Sequence, residues 1–220
     1  MNDQPIQEAG PPQEGSSVAA LLSALPDIAM AGVFLITWIS PYDFGKKTVS
    51  YLVLVMLFEF IVVHSAGFMG ALLVWNVRKT KKILTLLGLA LIYTTGVAGF
   101  AASFGQWWPV WAFWLMILNR LLGVLLGQVP SKKEQNFLVM WWGMSGVLYL
   151  LFAFVTTILP VPHLGISEEV VTAQGFLVGG LWTEEPHRVM AFGFLYFGLT
   201  GFLELNMNPD IAVLKQDKID

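Results

Sequence analysis

Apolar residues in this chain come in unbroken blocks, without the alternation of a half-buried strand or the three-to-four spacing of an amphipathic helix. A block of about 20 residues is what a helix needs to cross the ~30 Å hydrocarbon core of a bilayer. Six such blocks are legible, over 18–40, 48–76, 83–104, 107–128, 137–159 and 187–205. The pattern predicts an all-α fold, a polytopic integral membrane helical bundle of about six transmembrane helices, forming one compact domain over 18–205.

The breaks carry their own information. Residues 1–17 hold prolines, glycines and only acidic charges, the composition of a disordered tail. Residues 206–220 read as a polar C-terminal tail, and 160–186 as a partly ordered outer connection. Ala29-Met30-Ala31 resembles a signal-peptide cleavage site, but no Lys or Arg precedes it, so the segment is expected to stay in the chain. Pro26-Asp27 interrupts the first block. Proline is well tolerated in a helix's first turn, so a short helix over 18–25 followed by a membrane helix opening at Pro26 is expected. Asp27 would then be a helix-start carboxylate near the interface; the alternative is a buried charge in a broken helix.

Composition agrees with the pattern. The chain is 56% apolar and 12% charged, against about 25% charged for ordinary soluble proteins. A net charge of −3 offers no basic surface for nucleic acid. The lack of cysteine excludes disulfides, thiolate metal sites and cysteine-held iron–sulfur clusters. No Walker loop, strand-linked GxGxxG or serine nucleophile elbow is present. Bis-histidine haem would need two imidazoles at one depth, and only His64 lies centrally in a block. No cofactor is expected. The bilayer is the expected partner, with other membrane subunits or self-association as further contacts.

Lysine and arginine placement sets the orientation. With the N-terminus inside, the inner loops and tail hold eight of the 12 basic residues: Arg78, Lys79, Lys81, Lys82, Lys132, Lys133, Lys215 and Lys218. Lys46, Lys47 and Arg188 fall outside, and Arg120 lies within a block. Both termini are therefore expected to be cytoplasmic. Trp38, Trp75, Trp107, Trp108, Trp111, Trp141, Trp142 and Trp182 fall near block ends, as an interfacial aromatic belt requires.

Ionisable residues inside such blocks are costly and mark functional sites by default. The second block carries Glu59 and His64, which lie about 140° apart around a helix at ~100° per residue. Glu59 shares a face with Ala66 and Gly70, small residues that suit helix packing. It is expected to face the bundle interior, with His64 turned to a different neighbour. Both fit stations on a proton or cation path, as they also fit neutral hydrogen-bonded groups. Arg120 either reaches toward the cytoplasmic interface or pairs with Glu59 or Glu204. Gly123 and Gly127 form a GxxxG contact face, and Gly193, Gly198 and Gly201 thin the last helix for close packing.

The outer connection holds His163, Glu184 and His187, conceivable metal ligands at uninformative spacing. No metal is expected. Thr183 reads more simply as a helix N-cap, with Glu184 and Glu185 favouring the positive end of the next helix.

The second block and the closing EEPHRVMAFGFLYFGLTG are similar to bacterial multi-span membrane proteins, without matching a characterised family closely enough to transfer a function. The expected location is accordingly a bacterial inner (cell) membrane. The leading functional expectation is transport or conduction of a proton or small solute through an interior containing Glu59, His64 and Arg120, with Asp27 as a further candidate. The alternative is a non-catalytic structural or accessory subunit, and the third a membrane-embedded metalloenzyme. A transporter should enclose a polar cavity at mid-depth lined by Glu59 and Arg120. A subunit needs only a lipid-facing groove of small residues, and an enzyme needs His163 and His187 brought together with a carboxylate.

Overall fold

The computed structural model describes residues 14–74, 77–127 and 131–206. Most of the expected N-terminal tail, Trp75, Gln128 and the C-terminal tail with Lys215 and Lys218 lie outside the described residues. Among the described residues eight helices follow one another: α1 (Glu14–Ile39), α2 (Thr48–Val74), α3 (Lys79–Phe104), α4 (Trp108–Leu125), α5 (Lys132–Ile158), α6 (Glu168–Gln174), α7 (Leu181–Glu184) and α8 (Pro186–Asn206). All but α6 and α7 are long and apolar enough to cross a membrane. The protein is an all-α integral membrane bundle.

The first helix departs from expectation. It begins at Glu14 and runs unbroken through Pro26 to Ile39. Proline deletes one backbone donor, but in a membrane helix neighbouring groups can satisfy the freed carbonyl, so the helix need not restart. Asp27 therefore stands in the middle of a continuous span, not at a helix start.

Helix α2 is apolar on every side because every side is used. With α1, α5 and α8 it builds a core around Phe34, Val53, Met56, Tyr149 and Phe192. Its other face, through Ile61 and Met69, packs with Leu86, Val97, Phe113 and Ile117 of α3 and α4. The closest pairing is between α1 and α8, which run antiparallel: a Cβ on Gly193 would strike the ring of Phe34, and one on Gly201 would lie 2.9 Å from Ile28 Cγ1. Gly198 meets Ala31 Cβ at an ordinary 3.8 Å. Small residues here let two backbones approach and gain dispersion contact, the main attraction available between helices in lipid.

Helix ends are closed locally. Ser131 and Glu134 form a reciprocal capping box that starts α5, and Gly105 ends α3 with φ +63°. Elsewhere long-range side chains do the same. Gln174, 2% exposed, accepts from Ser50 N (3.1 Å) and donates to Lys46 O (3.1 Å) and Val170 O (3.2 Å). It thereby satisfies one of the orphan donors in the first turn of α2. Lys47 Nζ returns the contact to the carbonyl oxygens of Ala173 and Gln174. Arg188 Nη1 donates to carbonyls at the end of α5, on Thr156 (2.8 Å), Thr157 (3.1 Å) and the C-cap Leu159 (3.0 Å), and its Nε pairs with Glu185. Trp38 Nε1 donates to Pro162 O at 3.0 Å. The segment between α5 and α8 is thus tied down over one end of the bundle, here termed the connection face. The opposite end, carrying Arg78, Lys79, Lys81, Lys82 and Lys132, is the basic face.

Thr183 is not the expected N-cap. Its hydroxyl donates to Gly180 O at 2.9 Å inside α7, and α8 opens at Pro186. Proline needs no donor partner at that position.

Candidate functional site

A half-open cavity of about 750 Å³ lies between α1, α2, α4, α5 and α8, with Leu138 and Val139 of α5 exposed at its edge. Gln135, Asn136 and Glu204 line it near the basic face, whereas Glu59 and Tyr196 line it deep in the span. Depth follows from the helical rise of ~1.5 Å per residue. Counted from the connection-face ends of their helices, Tyr196, Glu59, Arg120 and Asp27 all stand roughly 15–18 Å in. That is near the middle of a ~30 Å hydrocarbon core. All four line this cavity.

Glu59 is fixed by one hydroxyl: Tyr196 Oη donates to its Oε1 at 2.9 Å. Tyr196 itself is 3% exposed and packs edge-on to Tyr149 with ring centroids 5.5 Å apart. Tyr149 Oη donates in turn to Met56 O at 2.7 Å, one turn before Glu59 on α2. Asp27 lies close against α8, where the thin backbone of Gly201 admits it, with a hypothetical Gly201 Cβ 3.2 Å from Asp27 Cβ. Asp27, Glu59 and Glu204 therefore form one acidic wall.

Arg120 lines the same cavity from α4. Among the described residues it makes no ion pair; the expected pairing with Glu59 or Glu204 is not seen, and the ion pair that is present joins Arg188 to Glu185 on the connection face. Elsewhere the lining is largely apolar, including Val62, Val139 and Trp142. Trp142 lies deeper than an interfacial residue should. Helix α5 starts at Lys132 and its apolar span at Glu134, so Trp142 is well inside and donates to Val63 O of α2 at 2.7 Å.

His64 corrects the expected constellation. It does not line the cavity; it faces outward from α2, its Nδ1 bonded to Tyr93 Oη at 2.8 Å and its ring stacked on Phe60 with centroids 5.7 Å apart. The ~140° rotation from Glu59 makes the two residues serve different surfaces.

The packing residues divide similarly. Ala66 and Gly70 border the cavity, and nothing lies within 4 Å of a Cβ built on Gly70. The close approach on α2 belongs instead to Gly67, where a Cβ would run into the Trp142 ring. Gly123 lies half-buried within α4. Gly127 lies beyond the end of α4 with φ +71° and open space around it, so it turns the chain and does not extend a GxxxG face. Sequence reading missed Tyr196, Thr200 and Gly67 because aromatic, hydroxyl and glycine residues in apolar helices carry no individual signal.

On the connection face His163 and His187 do meet, with ring centroids 3.8 Å apart. No third ligand joins them: Glu184 Oε1 accepts from Gly180 N at 3.1 Å, and no cluster of three metal-ligating side chains occurs among the described residues. Glu185 turns to Arg188, whose hydrogen bond holds its carboxyl below the usual carboxylate range. Compared with protein-family models, characterised proteins and solved structures, the chain matches none.

Proposed function

We propose that the protein carries protons across the membrane, coupled to the passage of a small solute, with Glu59 as the proton-binding group. The observation behind this reading is the setting of Glu59: a carboxylate halfway through the bilayer, on the wall of a cavity, held by a single hydroxyl. A carboxylate there is costly to maintain, and a cavity reaching it gives that cost a use.

The local chemistry suits proton exchange. A phenol can donate to a carboxylate and, after rotation of its O–H, accept from a carboxylic acid. Tyr196 can therefore follow Glu59 through both protonation states without moving a helix. Asp27 stands as a second carboxylate on the same lining, beside Thr200. Towards the connection face, Tyr149 and Phe192 fill the bundle at 3% and 0% exposure. Gln135, Asn136 and Glu204 bring the cavity's polar lining toward the basic face, the side that carries most of the Lys and Arg.

The test is proton flux into liposomes containing the purified protein and a trapped pH-sensitive dye, under imposed pH and potential gradients. Wild-type protein should acidify the lumen, and Glu59→Gln should reduce that flux to the level of empty liposomes. Flux unaffected by Glu59→Gln removes Glu59 from the path. Absence of wild-type flux under every gradient and solute removes the transport reading.

A further inference from the structure

Opposite charges line one cavity without touching. Asp27, Glu59 and Glu204 project from α1, α2 and α8, and Arg120 from α4, yet among the described residues Arg120 is in ion-pair contact with none of them. Charges of opposite sign in a medium of low dielectric attract strongly. Here they are kept apart because α4 is anchored on α3 and α2 by a separate core containing Phe113 and Ile117, while the acidic wall is built on the α1–α8 pairing. The space between is lined mainly by apolar groups such as Val62, Leu138 and Trp142. Its volume of about 750 Å³ is that of a small-molecule site, for which ~300–1,000 Å³ is usual.

We propose that this cavity binds a small zwitterion with an apolar body, its ammonium group held by Asp27 and Glu59 and its anionic group by Arg120. A ligand with both charges satisfies both signs at once. A monocation leaves Arg120 unpaired and is repelled by it, and a monoanion meets three carboxylates. The apolar middle selects against small hydrophilic zwitterions, because they would desolvate without gaining hydrophobic contact. A dipeptide carries both charges on one short backbone, with side chains free to meet Val62 and Trp142. Binding of this ligand class stands apart from the transport reading, on which only its passage across the membrane rests.

Three forms of one compound separate the possibilities: diphenylalanine as the free zwitterion, its C-terminal amide as a cation, and its N-acetyl derivative as an anion. Binding to the full chain in lipid nanodiscs is measured by calorimetry at pH 6.5, where an α-amino group with a pKa of about 7.7–8.0 is charged. The zwitterion is expected to bind at least tenfold more tightly than either analogue. Arg120→Gln should erase the preference over the amide, and Glu59→Gln the preference over the acetyl form, while Arg120→Lys keeps both. A preference below tenfold over either analogue, or no detectable binding of any of the three, overturns the proposal. The preference is measured on the unaltered protein, so misfolding of a variant does not blunt the test. Zwitterion-selective binding without proton flux would leave the ligand class standing and remove transport; flux without that selectivity would do the reverse.

Discussion

Tyr196 of α8 donates its hydroxyl proton to Glu59 of α2 across 2.9 Å, joining two helices near the middle of the membrane by a single hydrogen bond. Both partners line the cavity, with Tyr196 itself buried at 3% exposure. Tyr196→Phe removes the donor and keeps the ring packing. Interhelical side-chain hydrogen bonds in membranes contribute about 0.6 kcal/mol on average and up to ~1.7 kcal/mol. Loss of stability within that range is expected from denaturant titration in detergent, with proton flux in liposomes slowed and its pH profile displaced. An unchanged pH profile would separate Tyr196 from the proton-binding group.

His64 provides the control for that path. It is bonded to Tyr93 and turned away from the cavity. His64→Leu should leave Glu59-dependent proton flux within about twofold of wild type, measured in the same liposomes. A complete loss would return His64 to the path.

Glycine substitutions distinguish packing from propensity. At Gly193 a Cβ would collide with the Phe34 ring, whereas at Gly99 of α3 nothing lies within 4 Å. Gly193→Ala should destabilise by ~1–3 kcal/mol through overpacking. Gly99→Ala should be neutral, or stabilise by up to ~1 kcal/mol through helix propensity. Thermal unfolding of the two variants in one detergent gives the comparison.

Arg188 holds the segment between α5 and α8 in place through two carbonyls of α5, the carbonyl of its C-cap Leu159, and Glu185. Arg188→Met should free that segment, read as faster proteolytic cleavage between residues 160 and 185 with the spans intact. Acid should act in the same direction. The bond from Arg188 lowers the Glu185 carboxyl below its ordinary value, so its contribution is complete above the usual glutamate range. It is lost as pH falls through the depressed value. Protease resistance of the segment should therefore be flat from neutrality to about pH 5 and decline below about pH 4, the region of an unperturbed glutamate pKa of ~4.3. Glu185→Gln should flatten that decline.

The chain's apolar blocks alone were enough to specify six membrane helices, because a bilayer forbids unsatisfied backbone and leaves long apolar segments one structure to adopt. The same reasoning marked Asp27, Glu59 and Arg120, since ionisable groups stand out against an apolar background. It did not determine which of them meet. The small-residue stripe through Ala66 and Gly70 predicted the side that Glu59 takes and that His64 would meet another neighbour, but the partners themselves, Tyr196 and Tyr93, depended on which helices packed where. The continuity of α1 through Pro26, the hold of Tyr196 on Glu59, and the separation of Arg120 from the acidic wall were likewise decided by tertiary packing. Those relations arise from Gly193, Gly201 and Gly67 meeting Phe34, Asp27 and Trp142 on other helices, and shape complementarity between distant segments leaves no local pattern in a single sequence.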